Sequence, residues 1–219
     1  MKFGFLCYPG FEELDLIGPW EMATMWQHYN GGPECLTVGV DLAPVTCAKG
    51  LVVAPAHDFT SVGALDYLLV PGGVAAFEVM KDAHVVEYIR GVAANAKATL
   101  SVCTGSFLLQ AAGLLKERSA ATHWLAIERL RALGVDVQER RFVESDGVWS
   151  SSGVSAGIDM MLAFIAQQAG DEVAANVQLQ AEYFPNGHLY GAPGEHPKAP
   201  AYIRELKRSS YGAQSGSGD

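Results

Sequence analysis

The sequence predicts an α/β fold, a mostly parallel sheet sandwiched between helices with a nucleophile elbow after a central strand. Three observations carry that reading. Short apolar runs of strand length alternate with longer segments of helical spacing. Three of those runs end in unusual turns, at Pro9-Gly10, at Pro71-Gly72-Gly73 and at Cys103-Thr104-Gly105. Apolar residues make up 49% of the 219 positions and charged ones 18%, enough to bury a large core without a disulfide or a metal.

The elements follow in order. Lys2 to Tyr8 is a short aromatic-rich strand stopped by Pro9-Gly10. Leu14 to His28 has helical spacing, with Pro19 after Gly18 suiting a first helical turn. Cys35 to Val40 is a second strand, and Val45 to Ala54, broken at Lys49-Gly50, is a hairpin. Tyr67 to Val70 is a buried strand. Val85, Val86, Ile89, Val92, Ala93 and Ala96 then share one helical face. Thr99 to Val102 is another buried strand, feeding a helix over Phe107 to Ala112. Arg141 to Ser151 turns at Asp146-Gly147 as a second hairpin, and Ser155 to Gly170 and Asp171 to Glu182 are helices before a loop from Pro185 to Pro200. The expected organisation is one domain over 1–208. A Gly/Ser-rich tail follows over 209–219, whose composition builds no packed core.

Composition narrows the function. Fifteen basic against twenty-four acidic residues give a net charge of −9, the opposite of a nucleic-acid footprint or of an anionic-membrane binder. The uncharged stretch from Ala98 to Leu115 contains Ser101, Thr104, Gly105 and Ser106, which suit a strand, turn and helix better than a bilayer span. The N-terminal residues lack the apolar region of a secretory signal, and Cys7, Cys35, Cys47 and Cys103 stand singly with no C-x-x-C pair. A cytoplasmic protein is expected. No phosphate-cradling glycine pattern is present, so no nucleotide is indicated, and His188 with His196 and Glu195 is a weak metal signal.

In an α/β sheet ligands bind beyond the carboxyl ends of the strands, which selects the same three turns. Cys103 sits between an apolar strand and small residues that open a helix, the setting of a nucleophile on a sharp turn. Gly105 would let the backbone turn and a substrate approach, and the helix N-terminus would favour a thiolate. A small buried hydrophobe is the competing reading, and the preferred one for Cys7, Cys35 and Cys47. Gly72 and Gly73 would present outward N–H groups, half of an oxyanion-type hole with the N–H of Thr104, or else form an ordinary turn. Asp15, between Leu14 and Leu16, could face inward as a carboxyl whose pKa is raised by burial and by a neighbouring thiolate; otherwise it is a helix cap. His123 could pair with Cys103 or simply start a helix. Met22, Met25 and Trp26 are read as core.

Six motifs, taken in order, resemble the ThiJ/PfpI superfamily. They are Leu14 to Glu21, Leu69 to Gly73, Ser101 to Ser106, Ala112 to Leu115, Ala121 to Trp124 and Ser152 to Asp159, spread over residues 3 to about 180. The resemblance implies a flavodoxin-like, glutamine amidotransferase-like fold and a homodimer. Protease-like and stress-response members of the superfamily resemble one another in a Cys-His-Gly elbow. Thr104 after the cysteine removes an adjacent Cys–His dyad here. Asp15 with Cys-Thr-Gly resembles the isocyanide (isonitrile) hydratases, and equally the sensor domain of AraC-type regulators. Val177 to Pro185 resembles the C-terminal segment of the hydratases, and no basic helix-turn-helix sequence follows before Arg208, so a hydratase is expected.

That resemblance implies a small-molecule isonitrile as substrate and water addition giving an N-substituted formamide through a Cys103 thioimidate, with no metal and no organic cofactor. It assigns proton transfer to Asp15, orientation of the carboxyl or the developing charge to Thr104, and a backbone donor to Gly73. Ile17 and Val74-Ala75-Ala76 depart from the hydratase pattern at positions expected to line the pocket, and so bear on substrate size. The alternatives are a ligand or redox sensor and a glyoxalase- or deglycase-like thiol enzyme. Members of the latter group resemble one another in a Glu at the first-strand site and a Cys-His elbow.

Overall fold

Strand β1 (Lys2–Cys7) leads into helix α1 (Glu13–Asn30) and strand β2 (Glu34–Gly39). Two short strands, β3 (Val45–Thr46) and β4 (Val52–Val53), form the first hairpin, and β5 (His57–Asp58) follows. Strand β6 (Tyr67–Val70) continues through α2 (Ala76–Val79) to α3 (Ala83–Ala93), and β7 (Ala98–Val102) runs into α4 (Gly105–Ala111). Next come β8 (Ser119–Ala120), a 3₁₀ turn at Trp124–Ala126, α5 (Ile127–Arg131) and β9 (Asp136–Val137). The second hairpin is β10 (Phe142–Ser145) and β11 (Val148–Ser151), followed by α6 (Ala156–Ala169), α7 (Asp171–Gln180) and α8 (Ala201–Arg204). The computed structural model describes residues 1–185, 187 and 189–206; His188 and the expected tail 209–219 lie outside the described residues.

Seven strands form the main sheet in the order β10-β11-β7-β6-β1-β2-β5, parallel throughout except for the β10–β11 hairpin. Helices cover both faces, as the sequence predicts. Strands β6 and β7 are buried along their whole length, so they read as continuous apolar runs rather than alternating ones. Chain direction across the sheet reverses between β1 and β6. Right-handed crossovers therefore put α1 on one face and α3 on the other, and a crevice opens where β1, β6 and β7 end.

Helix α1 corrects one expectation. Pro19 lies well inside it rather than in its first turn, which deprives the Asp15 carbonyl of its intrahelical donor. The reason is helix packing. A Cβ on Gly18 would meet Ile158 at 2.9 Å, and one on Gly157 would meet the Pro19 ring at 2.9 Å, so Gly18-Pro19 is where α1 presses against α6. Met22 and Trp26, from the same helix, are buried in the core, with Met25 half-buried against it. Cys7 and Cys47 are buried and Cys35 partly so, Cys47 just past the end of β3 rather than within a strand. The expected loop before Pro200 contains one 3₁₀ turn, Pro193–Glu195.

Gly105 also differs from expectation. Its backbone is ordinary, but a Cβ there would stand 2.3 Å from the Val70 carbonyl oxygen and 2.8 Å from that of Pro71. What approaches it is the end of β6, not a substrate. Gly105→Ala should therefore destabilise the protein by about 1–3 kcal/mol, because the obstacle is backbone that does not yield. Gly91→Ala, in α3 with nothing within 4 Å of the added carbon, should stabilise it by about 0.5–1 kcal/mol. Urea denaturation midpoints of the two variants, moving in opposite directions, check this.

Candidate functional site

The turn between β7 and α4 carries Cys103 at φ 58°, a left-handed conformation that a non-glycine residue holds only when its surroundings impose it. Those surroundings are explicit. The Cys103 N–H reaches the carbonyls of Ser151 and Ser152, both at 3.1 Å. Its own carbonyl oxygen stands 3.1 Å from the hydroxyls of Ser106 and Thr122, which are 2.9 Å from each other.

The thiol is buried, and burial pushes its pKa up to about 12, with the Asp15 charge adding to the rise. The N–H groups of Thr104 and Val154 oppose it without reversing it. The expected thiolate is thus overridden. The seven-residue helix and two backbone donors are outweighed by loss of water, and Cys103 keeps its proton at neutral pH.

Asp15 is the third residue of α1 and fully buried, its carboxyl turned to the glycine turn after β6 rather than capping the helix. Glu12 holds the cap position, with no side-chain cap bond. The Asp15 Oδ2 accepts the Gly72 N–H at 3.0 Å, and its buried Oδ1 has no hydrogen-bond partner among the described residues. Burial pushes its pKa up to about 7 against the pull of the Gly72 N–H. The like charge that adds to the rise is Glu12. Cys103 acts in the opposite sense, as a donor that favours the carboxylate.

Thr104 is locked to the glycine turn. Its hydroxyl donates to the Gly73 carbonyl at 2.7 Å and accepts the Gly73 N–H at 2.9 Å. The hydroxyl therefore does not orient the Asp15 carboxyl, and the two glycine donors expected to face a substrate are already taken, Gly72 by Asp15 and Gly73 by Thr104. The groups that face the sulfur are instead the backbone N–H of Thr104 and that of Val154, itself at φ 46°.

A cavity of about 270 Å³ opens over these residues. Cys103, Thr104, Gly73, Glu12 and His123 form its polar side, and Val74, Phe77, Leu125, Ala126 and Val154 its apolar side. Ile17 is not in its lining; it is half-buried on α1 against the core, and of the two departures from the hydratase pattern only Val74 reaches the cavity. His123 starts a helical turn, the second of its two expected readings, and shares the cavity lining with Cys103. Its Nδ1 accepts the Leu125 N–H at 3.3 Å, capping the 3₁₀ turn, while its ring borders the cavity. Burial pushes its pKa down, so the imidazole is neutral at pH 7.

Tyr8, Glu12 and Val154 were not singled out in the sequence. The Tyr8 hydroxyl lies 2.7 Å from the Pro71 carbonyl oxygen and 3.0 Å from that of Gly72, pinning the glycine turn from the end of β1. Its position immediately before Pro9-Gly10, at the carboxyl end of a strand, was the available signal. Among the described residues no group of three or more His, Cys, Asp or Glu side chains is placed to hold a metal ion, and His196 packs edge-on against Trp124 at 5.0 Å. No helix among them is long and apolar enough to cross a membrane.

Comparison with known proteins agrees with this geometry. The chain is 36% identical over 200 residues to the isonitrile hydratase of Pseudomonas putida, covering 91% of this chain and 86% of that one. It is 28% identical over 180 residues to the HTH-type transcriptional regulator GbdR of Pseudomonas aeruginosa, covering 80% of this chain but 49% of the regulator. A crystal structure of a ThiJ/PfpI family protein from Pseudomonas syringae superposes with a TM-score of 0.82 at 33% identity, over 93% of this chain and 82% of that one. Residues 1–167 match the DJ-1/PfpI family, and with the elbow, the glycine turn and the sheet order all in place the chain belongs to that family.

Proposed function

We propose that the chain is an isonitrile hydratase, adding water to R–N≡C to give R–NH–CHO. The observation that carries the reading is a buried thiol lining a small cavity and coupled to a buried carboxyl that has, among the described residues, one oxygen without a hydrogen-bond partner. The likeness to the Pseudomonas putida isonitrile hydratase supports it.

The protonation states set the order of events. With the thiol at about 12 and the carboxyl at about 7, the reactive form is the one in which Cys103 carries a proton and Asp15 does not. Asp15 takes that proton as the sulfur attacks the terminal carbon, then delivers it to the same carbon, leaving R–N=CH–S–Cys103. The carboxylate next deprotonates water, whose oxygen adds to this carbon while the nitrogen gains the proton. Collapse of R–NH–CH(OH)–S–Cys103 expels the sulfur, which recovers the hydroxyl proton through Asp15. One water enters and no redox equivalent is needed. The N–H groups of Thr104 and Val154 face the sulfur as it gains and loses charge, and Val74, Phe77 and Leu125 accommodate R.

The protein would work as a homodimer in the cytoplasm, with a small isonitrile as its partner. A ligand-sensing role is the second reading, favoured by the GbdR likeness over 80% of this chain. Light scattering after size exclusion reports the assembly. Turnover separates the two roles.

Formamide formation from an aryl isonitrile, followed by ultraviolet absorbance, is the direct test. Wild type should turn it over, Cys103→Ala should lose about a thousandfold or more, and Asp15→Asn about 10²- to 10⁴-fold. The double variant should be no worse than Cys103→Ala, since the two groups act as a unit. Reduced wild-type protein without turnover would exclude the hydratase.

The rate should also report Asp15. As pH rises, kcat/KM is expected to climb through an acid limb near 7 and then level off, because the carboxylate must be free to receive the thiol proton. A profile flat from pH 5 to 9 would contradict the proposed exchange.

Stability should follow the same group with the opposite sense. A folded carboxyl at about 7, against the ordinary carboxylate value in the unfolded chain, makes the folded state the tighter proton binder. Its contribution is complete at low pH and is lost as pH rises through 7. Asp15→Asn keeps a neutral acceptor for the Gly72 N–H, so it should match wild type near pH 4. By pH 8 it should be more stable by on the order of several kcal/mol, read from denaturation midpoints across that range.

A further inference from the structure

We propose that Glu12, paired with Lys49 of the β3–β4 hairpin, is a positioning residue that governs the protonation of Asp15. Its catalytic meaning rests on the hydratase reading, but the electrostatic coupling does not.

Glu12 borders the same cavity as Cys103, Thr104 and His123, with its side chain 18% exposed. It begins the helix that carries Asp15, whose N–H donates to the Glu12 carbonyl at 3.1 Å, and its own N–H donates to the Gly72 carbonyl at 2.9 Å. The backbone of Glu12 is thus tied to the same turn that holds the Asp15 carboxylate. Its side chain does not cap α1; it forms an ion pair with Lys49.

Lys49 is in turn placed by the hairpin. Gly10 N–H donates to Thr46 O at 2.8 Å, Ala48 N–H to Phe11 O at 2.8 Å, and Lys49 N–H to Glu13 Oε1 at 2.6 Å. Together these lay the hairpin along the loop between β1 and α1. A negative charge at the cavity edge is held in place by a positive one brought from the tip of a separate two-stranded hairpin.

The groups acting on the Asp15 carboxyl from each side can be named. Cys103 and the Gly72 N–H act from the elbow and the glycine turn, Glu12 from the helix entry and Lys49 from the hairpin. Tyr8, from β1, feels the Asp15 charge in return. Of these groups Glu12 and Lys49 are the acidic and basic side chains, and they act on Asp15 in opposite senses. Glu12 also acts on His123, which borders the same cavity.

The test is a carbon-13 NMR titration of the Asp15 carboxyl, assigned by its disappearance in Asp15→Asn, on the full chain without substrate. Glu12→Gln should lower the midpoint by about half a unit or more, a single-charge effect reduced by partial exposure, and Lys49→Met should raise it by a similar amount. The Glu12→Gln/Lys49→Met double variant should return towards wild type, and Glu12→Asp, which keeps the charge, should stay with wild type. Midpoints that do not move, or that move the same way in both single variants while thermal melting shows both folded, would overturn the proposal. So would a Glu12→Asp midpoint displaced as far as that of Glu12→Gln. Because the readout is the carboxyl itself, absence of isonitrile turnover would sink the hydratase reading and leave this result standing.

Discussion

The site depends on how closely two neighbouring strand ends leave the sheet. Strands β6 and β7 pair in parallel as far as Val70 and Ser101, and within three residues both chains turn away. No side chain fits in the seam between them. A Cβ on Gly72 would stand 2.5 Å from the Thr104 nitrogen, and one on Gly105 2.3 Å from the Val70 oxygen. Such contact leaves the peptide groups of the glycine turn without ladder partners, and a buried peptide group must find one. It finds them in the site residues: Asp15 for the Gly72 N–H, Thr104 for both polar groups of Gly73, and Tyr8 for the Pro71 and Gly72 carbonyls. Packing and chemistry are thereby the same set of bonds.

That sharing determines which chemistry the crevice favours. Donors spent on Asp15 and Thr104 are not available to an anion, and a thiol deprived of water holds its proton. A preformed thiolate with an oxyanion hole, the arrangement suited to acyl transfer, is not what results. What results, in the proposed reading, is one proton exchangeable between a thiol and a carboxyl beside a small, largely apolar space. Addition of S–H to an isonitrile carbon moves a proton from sulfur to carbon and leaves no net charge behind. A site of low polarity does not penalise that transfer as it would a separated ion pair.

Much of the fold was legible because its signals are local. The apolar runs of β1, β6 and β7, the hairpin tips at Lys49-Gly50 and Asp146-Gly147, and the Cys103 elbow each lie within a few adjacent residues. Signals that depend on distant partners were not. Gly18-Pro19 resembles a helix start by its chemistry but serves a contact with Gly157 and Ile158. Tyr8 acts on residues 63 and 64 positions away, and Glu12 meets Lys49 37 positions away. The fate of the Gly72 and Gly73 donors turned on whether a side chain would reach them first. Burial decided the state of Cys103 in the same way: a helix N-terminus is visible in sequence, but the water excluded around it is not.

The two site residues at positive φ belong to this arrangement rather than standing apart from it. Cys103 and Val154 both hold positive φ, at 58° and 46°, and for the β-branched Val154 that is a true outlier. Each such residue costs on the order of 1–3 kcal/mol and survives only where its neighbours leave no alternative. Here the neighbours are successive strand ends. Parallel pairing of β7 with β11 runs to Val102 and Ser151, and the Cys103 N–H continues it by reaching the Ser151 and Ser152 carbonyls. Relaxing Cys103 would break that extension; relaxing Val154 would withdraw an N–H from the sulfur. The strain is therefore sustained by the sheet, and what it secures is a sulfur that faces Asp15 on one side and two backbone donors on the other.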